Sequence, residues 1–524
     1  MTELLPDVFL GLDLSTQQLK ATITDQEARV VLESSVSFDE ELPEFNTRGG
    51  VLVGENGRVT APVQMWVKAV DLLLQKLKDT QVDLGHVRAI SGAAQQHGTV
   101  YWSKQSLGFG ERLVPEKPLH EQLSNAFALE ASPIWQDTST TQQCRALEKQ
   151  TAGAQNLADI SGSKAYERFS GNQIAKIYQD DRTIYQNTQR ISLVSSFLAS
   201  LFLGTYAPID VSDGSGMNLL NIWRREWEPS LLGCCAPNLE SKLGKEVVED
   251  GTPLGPVHSY FARRYGFRED LIVVNFTGDN PATLLSMNIS EGGAVVSLGT
   301  SDTVLMHLNH PNPSLFASIL CHPSQSGSHM GLICYSNGSL TRQFVRDKYA
   351  NGSWEEFNAS VRQTPPGCNG RMGFYGSSSE DSIRIEGDSV VSEFSDPIYN
   401  TRAVLESRFL SMHLRCMQLG LRTKRVFAVG GAASNDTILQ VLADVFGVPV
   451  YKFSSGNSAS QGACYLAQLG FLRASDPSTT FNDLRIKDTS QLSKQPNAPV
   501  HEMYCSSLEK FSEASKKWGG IELS

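Results

Sequence analysis

Apolar positions along the chain fall into strand-like runs and helix-like repeats that alternate. Val8-Phe-Leu-Gly-Leu-Asp13-Leu and Leu19-Lys-Ala-Thr-Ile-Thr-Asp25 predict two strands around a short polar turn containing Ser15 and Thr16. Met65, Val67, Val70, Leu74 and Leu77 recur at helical spacing and predict a helix over 62–78. A strand over 87–91 then runs into Gly92-Ala-Ala-Gln95-Gln96-His97-Gly98, so Gln96 and His97 are expected at a strand end, where α/β proteins bind ligands. The apolar run 193–203 carries three serines and falls short of the roughly 20 residues that cross a bilayer. It predicts a buried helix.

The middle of the chain has the densest pattern. Ile272-Val-Val-Asn-Phe-Thr-Gly-Asp279-Asn280-Pro281 reads as a buried strand that ends at a carboxylate and opens a helix. Pro281 suits the first helical position, which makes Asn280 the expected cap and leaves Asp279 just outside the helix. There the positive helix end favours an ionised Asp279 near neutral pH. Two readings stay open: a simple capping pair, or a proton acceptor for a substrate hydroxyl.

A second strand, Gly293-Ala-Val-Val-Ser-Leu, ends in Gly299-Thr300-Ser301, a turn rich in backbone N–H groups of the kind that cradles phosphate. The hairpin 295–308 repeats the plan of the first one, with Thr300 standing 284 positions after Thr16. Two such hairpins half a chain apart predict a duplicated α/β architecture, each half burying its own sheet and opening with a phosphate-facing turn. A ligand is expected in a cleft between the halves. Asp13 reads either as a turn former or as an aspartate that holds Mg²⁺ beside a phosphate.

Further along, Asp137 reads as a cap or a substrate contact. Ala165-Tyr166-Glu167-Arg168-Phe169 forms a polar–aromatic loop, and 206–217 carries strong turn signals. Helices are expected to start at Asn337-Gly-Ser339 and at Ser353-Trp354, and to cover 401–421, with a long hairpin or loop over 364–396. The strand 425–429 leads into Gly430-Gly431-Ala-Ala-Ser434-Asn435-Asp436 and a helix over 437–446. That turn is either a capped αβ connection or a nucleotide site in which Gly430 and Gly431 admit a base or ribose and Asn435 bonds it. The small-residue segment 457–467 predicts a closely packed helix, and another helix is expected near 506–517.

Composition narrows the classes. At 524 residues the chain exceeds a single core. Its 40% hydrophobic and 19% charged content describes a folded protein, and its net charge of -11 argues against a nucleic-acid partner. Nine cysteines without a Cys-x-x-Cys pair suggest neither a disulfide framework nor a zinc site, and reduced thiols in the cytoplasm are the simplest account. No secretory signal and no membrane span is read.

The ordered set Gln95-Gln96-His97-Gly98, Ala165-Tyr166-Glu167-Arg168-Phe169, Phe276-Thr277-Gly278-Asp279-Asn280-Pro281 and Ser297-Leu298-Gly299-Thr300-Ser301-Asp302 resembles the FGGY sugar kinases of the actin-like ATPase superfamily. The resemblance extends from Phe9 to about 472. It implies a two-domain actin-like, ribonuclease H-like fold with duplicated mixed sheets: residues 1–290 binding sugar and 291–524 binding ATP. It implies Gln96, His97, Arg168, Asp279 and Asn280 as sugar contacts, with Asp279 as catalytic base. Asp13 and Asp279 would face Mg²⁺, and Thr16, Gly299, Thr300, Ser301, Trp354, Gly430, Gly431 and Asn435 would face ATP.

The implied reaction moves the γ-phosphoryl group of ATP onto a ketose, most simply the 5-hydroxyl of D-xylulose, in a monomer or weak homodimer. Ribulose or glycerol are alternative acceptors. A polypeptide-binding ATPase on the same phosphate turns and a non-catalytic sugar sensor are the competing classes. Two departures from bacterial relatives stand out: Ser15-Thr16 replaces the usual Gly-Thr, and Ser139 replaces an arginine.

Overall fold

A computed structural model describes residues 7–376, 378, 381–453 and 459–518. Two compact units result: one holds 1–288, 313–328 and 457–487, the other 289–312, 329–456 and 488–524. The first break lies close to the expected boundary at 290, but two later segments return to the first unit. The reason is visible in the helix Ala459–Arg473. Its Ala-, Gly- and Cys-rich surface is buried almost throughout, and Gly11 of the strand Val8–Leu14 has no room for a Cβ beside the Ser460 carbonyl.

The sheet of the first unit has the strand order Pro253–Pro256, Ile272–Val274, Val87–Ala94, Val8–Leu14, Gln18–Asp25, Val30–Ser37, with Thr277–Gly278 also pairing on Val87–Ala94. Val8–Leu14 is antiparallel to Gln18–Asp25 and parallel to Val87–Ala94. In the second unit Gly293–Leu298 plays the part of Val8–Leu14. It is antiparallel to Asp302–Leu308 and parallel to Arg425–Val429, and Val450–Phe453 and His329–Tyr335 extend the sheet on either side. The duplicated mixed-sheet plan is therefore present in both units. All seven residues of Val8–Leu14 are buried, as a strand covered on both faces must be.

Several local expectations need correction. The strand predicted over 87–91 continues to Ala94, because Gly92 leaves space that the Phe276 ring fills. The helix after the central strand is Asp279–Ser286, capped by Gly278. Asp279 is thus its first residue rather than lying outside it, and Asn280 is not the cap. The segment 364–396 contains a small three-stranded sheet of Met372–Phe374, Ile383–Glu386 and Ser389–Val391, with residues 377, 379 and 380 outside the described set. Asn457 and Ser458 also lie outside it, and the last helix begins earlier than expected, at Ala498. The run 193–203 does form a buried helix, Val194–Leu203. Among the described residues no helix is long and apolar enough to cross a membrane.

One glycine couples this packing to the central carboxylate. A Cβ on Gly462 would overlap the backbone carbonyl of Ala282, in the helix that begins at Asp279. Gly462→Ala gains about 1 kcal/mol of helix propensity but forces a backbone shift of a kind that costs about 1–3 kcal/mol. The variant is expected to melt at or below the parent protein in a thermal scan, and a midpoint raised by the full propensity gain would show that the two helices are not in contact there.

Candidate functional sites

In the first unit the carboxylates are brought in by strand ends. Asp13 closes Val8–Leu14, and Asp279 follows Thr277–Gly278, whose pairing with Ala93 and Ala94 sets it beside the end of Val87–Ala94. Asp13 is buried, and only one of its oxygens is engaged: Ser15 Oγ donates to Oδ2 at 2.8 Å, while Oδ1 has no hydrogen-bond partner. Burial raises Asp13 above the ordinary carboxylate range. Asp279 is pushed up to about 7, first by loss of solvent and then by the charge of Asp13. The expectation of an aspartate kept comfortably ionised by its helix end is corrected. In a half-buried site beside another carboxylate, partial loss of solvent and like-charge repulsion outweigh the N–H groups of a short helix.

Asn280 is tied to both neighbours. Its backbone N–H donates to Asp279 Oδ1 at 2.8 Å, and its Nδ2 donates to the same oxygen at 3.1 Å and to Gln96 Oε1 at 2.9 Å. His97 sits at φ +70°, and its Nδ1 lies 2.8 Å from the Gly216 carbonyl. A carbonyl only accepts, so Nδ1 carries the proton and Nε2 is left as an acceptor. Burial and the nearby Arg168 cation push the imidazole down to about 3, which keeps it neutral. Its ring stacks on Phe169 at 4.4 Å, and the Arg168 guanidinium lies over Tyr166 at 4.9 Å.

Gln96, His97, Arg168, Asp279 and Asn280 thus form one group, with Asp13 felt electrostatically by Asp279. Thr16 stands apart from them in its contacts: its Oγ1 accepts from Trp135 Nε1 at 2.9 Å. Asp137 is neither a helix cap nor a free contact. It accepts from the backbone of Val59 and Ser139, the Ser139 hydroxyl and Gln173, all within 2.9 Å, and so ties three segments together.

In the second unit Gly299, Thr300, Trp354, Asn358, Gly431 and Asn435 wall a cavity of 830 Å³, within the range of small-molecule sites. Gly299-Thr300-Ser301 connects Gly293–Leu298 to Asp302–Leu308 as an exposed turn. It is braced from behind: Arg342 Nη1 donates to the buried Asp302 Oδ2 at 2.7 Å, and its Nη2 reaches the Gly299 carbonyl at 3.4 Å. Gly430 has φ +85° and lies against the backbone of Leu298, whereas a Cβ on Gly431 would meet nothing within 4 Å. Gly430 therefore serves the turn, and Gly431 leaves the wall open. The Arg346 guanidinium covers Trp354 at 4.9 Å.

Asn435 lines the cavity and bears out the capping reading of its turn. Its Oδ1 caps the helix Asp436–Phe446 by accepting from Thr437 and Ile438, and its Nδ2 donates to Asn358 Oδ1 at 2.9 Å. Asn358 and Arg342 were not singled out by sequence reasoning, because a polar residue on a helix looks the same whether it faces a cavity or water. Asp210 and Asp213 were also passed over. They read as turn formers in 206–217, but both are fully buried, and Asp210 caps the short helix Val211–Gly214.

The residues fit a divalent cation. Asp13 offers a buried oxygen with no donor, and Asp279 is destabilised by a neighbouring negative charge. Among the described residues no cluster of three or more His, Cys, Asp or Glu is arranged to hold a metal.

The second unit thus holds an exposed Gly-Thr-Ser turn beside a roomy cavity, and the first a raised carboxyl set among amide, imidazole and guanidinium groups. The chain matches the N-terminal domain of the FGGY family of carbohydrate kinases over residues 124–286 and the C-terminal domain over 294–470, and it belongs to that family. It is 44% identical over 521 residues to a protein named xylulose kinase from Mus musculus, covering 97% of this chain and 94% of the relative. It is 42% identical over 492 residues to xylulose kinase 2 of Arabidopsis thaliana, covering 89% and 88%. The crystal structure of xylulose kinase from Rhodospirillum rubrum shares the fold, with a TM-score of 0.80 at 15% identity over 97% of this chain and 98% of that one.

The raised Asp279 carboxyl has a stability consequence. Unfolded, an aspartate ionises near 3.8, whereas in the fold this one ionises at about 7. Between those values the folded state holds an extra proton, so stability falls as pH rises through the window and stays reduced above it. Asp279→Asn in the free protein is expected to melt above the parent at alkaline pH, with the difference vanishing toward about pH 4. A pH-independent difference would contradict the assigned carboxyl.

Proposed function

We propose that this chain catalyses transfer of the γ-phosphoryl group of ATP to the 5-hydroxyl of D-xylulose, giving D-xylulose 5-phosphate and ADP. The carrying observation is the set of groups around Asp279. Neutral His97 offers Nε2, Asp279 offers Oδ2, and both accept from hydroxyl groups. Arg168 supplies a fixed cation suited to a carbonyl oxygen. A polyol bearing one carbonyl, which a ketose is, satisfies acceptors and donor together. The names of relatives 44% and 42% identical over most of the chain support the same substrate.

In this reading the hydroxyl proton moves to Asp279 Oδ2 as the hydroxyl oxygen forms its bond to phosphorus and the bond to the ADP oxygen breaks. An aspartate held near 7 is a better base than an ordinary one and keeps about half its population ionised near neutral pH. Asn280 donates twice to Oδ1 and so orients the carboxylate, with Oδ2 the oxygen that takes the proton in this reading. The backbone N–H groups of Gly299 to Ser301 meet the nucleotide phosphates, and the 830 Å³ cavity between Trp354, Gly431 and Asn435 takes the nucleoside. Mg²⁺, held by Asp13 and Asp279, would neutralise phosphate charge when bound.

The reading is tested by ADP release against D-xylulose, D-ribulose and glycerol with and without Mg²⁺. D-xylulose is expected to give the highest kcat/KM, and a glycerol or ribulose preference would overturn the substrate. Asp279→Ala is expected to retain its fold by circular dichroism and to lose at least about 10²-fold in kcat, the scale of general-base contributions. A variant keeping more than about a tenth of the parent rate would remove Asp279 from the role of base.

A further inference from the structure

Behind the sugar-facing group lies a buried layer that the reaction itself does not use. Asp213 is 1% exposed. Its Oδ2 accepts from the Ser195 hydroxyl at 2.6 Å, and its Oδ1 accepts from Gln96 Nε2 at 3.3 Å. The backbone N–H of Asp213 donates to Asp210, whose Oδ2 also takes the Thr277 hydroxyl at 2.9 Å. Ser212 Oγ reaches Asp250 at 2.9 Å and Thr277 at 2.8 Å. The short helix carrying Asp213 is thereby fastened to the strand that delivers Asp279.

Packing fixes the contact further. Gly278 has no space for a side chain: a Cβ there would come within 2.6 Å of Gln96 Cγ and 2.8 Å of Asp213 Oδ1. The Gln96 side chain and the Asp213 carboxyl therefore both lie against Gly278.

An amide has two unlike ends, and this geometry selects between them. With Nε2 committed to a carboxyl oxygen, Gln96 must turn Oε1 toward Asn280, and only a donor can sit opposite it. Asn280 answers with Nδ2. Its own Oδ1 is then the end left for a ligand, as an acceptor. Were Gln96 reversed, Asn280 would reverse too, would present N–H to the ligand, and would turn an oxygen against Asp279. Burial and the nearby Asp210 push Asp213 above the ordinary carboxylate range. A protonated Asp213 still keeps a carbonyl-type oxygen toward Gln96, so the orientation does not depend on its ionisation.

We propose that Asp213, keyed by Ser195, is a positioning residue that sets the polarity of Gln96 and, through it, of Asn280, so that the site reads a hydroxyl donor of the acceptor sugar. The inference rests on the assignment of this group as the sugar site. It assigns to Asp213 and Ser195 a part in acceptor recognition although neither touches the sugar.

The test compares Asp213→Leu, close in size but without an acceptor, with Asp213→Asn, which can keep an oxygen toward Gln96, and with Ser195→Ala. KM is measured separately for ketose and ATP, beside the thermal midpoint. Asp213→Leu is expected to raise the ketose KM at least about tenfold, the scale of leaving a buried polar group unpaired, with the ATP KM within about twofold. Asp213→Asn is expected to recover most of that loss, and Ser195→Ala to raise the ketose KM about threefold, the scale of one neutral hydrogen bond. A ketose KM unmoved in Asp213→Leu, or both KM values shifting together with the midpoint, overturns the inference. If Asp213→Leu does not fold, Ser195→Ala decides: a ketose-specific rise upholds the inference and no rise overturns it. A parent protein that releases no ADP with any ketose would instead overturn the proposed function, and this inference with it; active parent protein beside an unaffected Asp213→Leu overturns the inference alone.

Discussion

A buried carboxylate, Asp13, and a half-buried one, Asp279, whose charges are felt by one another, are the constraint on which the first unit is built. Asp13 keeps an oxygen with no donor and Asp279 is pushed up to about 7. Neither arrangement would persist in a fold selected for stability alone, because an unpaired buried charge is costly. The surrounding structure holds them there with parts that cannot relax easily: two strand ends in one sheet, a serine on Asp13, and an asparagine bonded twice to Asp279. Strain of this kind is characteristic of sites that are completed by a ligand.

Close backbone approach makes the arrangement rigid. Gly11, Gly278 and Gly462 each stand where a single added carbon would meet another segment. Together they let the helix Ala459–Arg473 lie on the sheet, let the helix that starts at Asp279 lie on that helix, and let Gln96 lie on Gly278. A displacement at any of them is transmitted to Asp279, because packed interiors have little slack. The second unit uses charge for the same purpose: Arg342 bonds the Asp302 carboxylate and the Gly299 carbonyl and so holds the exposed turn from its buried side.

The two units share one sheet plan and differ in what they place at its strand ends. In the first, the strand ends carry carboxylates, amides and an imidazole whose protonation is fixed by Gly216. In the second they carry glycines and a cavity. A cluster of titratable groups and an open cavity beside a glycine turn thus arise from the same topology, with the difference written in the residues that follow each strand.

The sequence by itself determined the local elements and which polar residues stand at their ends. Alternating apolar runs specified the two hairpins, the 3.6-residue period specified the helix over 63–78, and Asp279-Asn280-Pro281 marked a helix start, because these signals depend on neighbours a few positions away. What only the tertiary structure decided is the state of those groups. The ionisation of Asp279, the tautomer of His97, the capping duty of Asn435 and the direction of the Gln96 amide all depend on desolvation and on partners far off in sequence, such as Asp213, 117 positions from Gln96. The return of 457–487 to the first unit is of the same kind. A small-residue helix announces that it will be closely packed, but which backbone it packs against is a property of the folded chain, since a missing Cβ carries no address of its own.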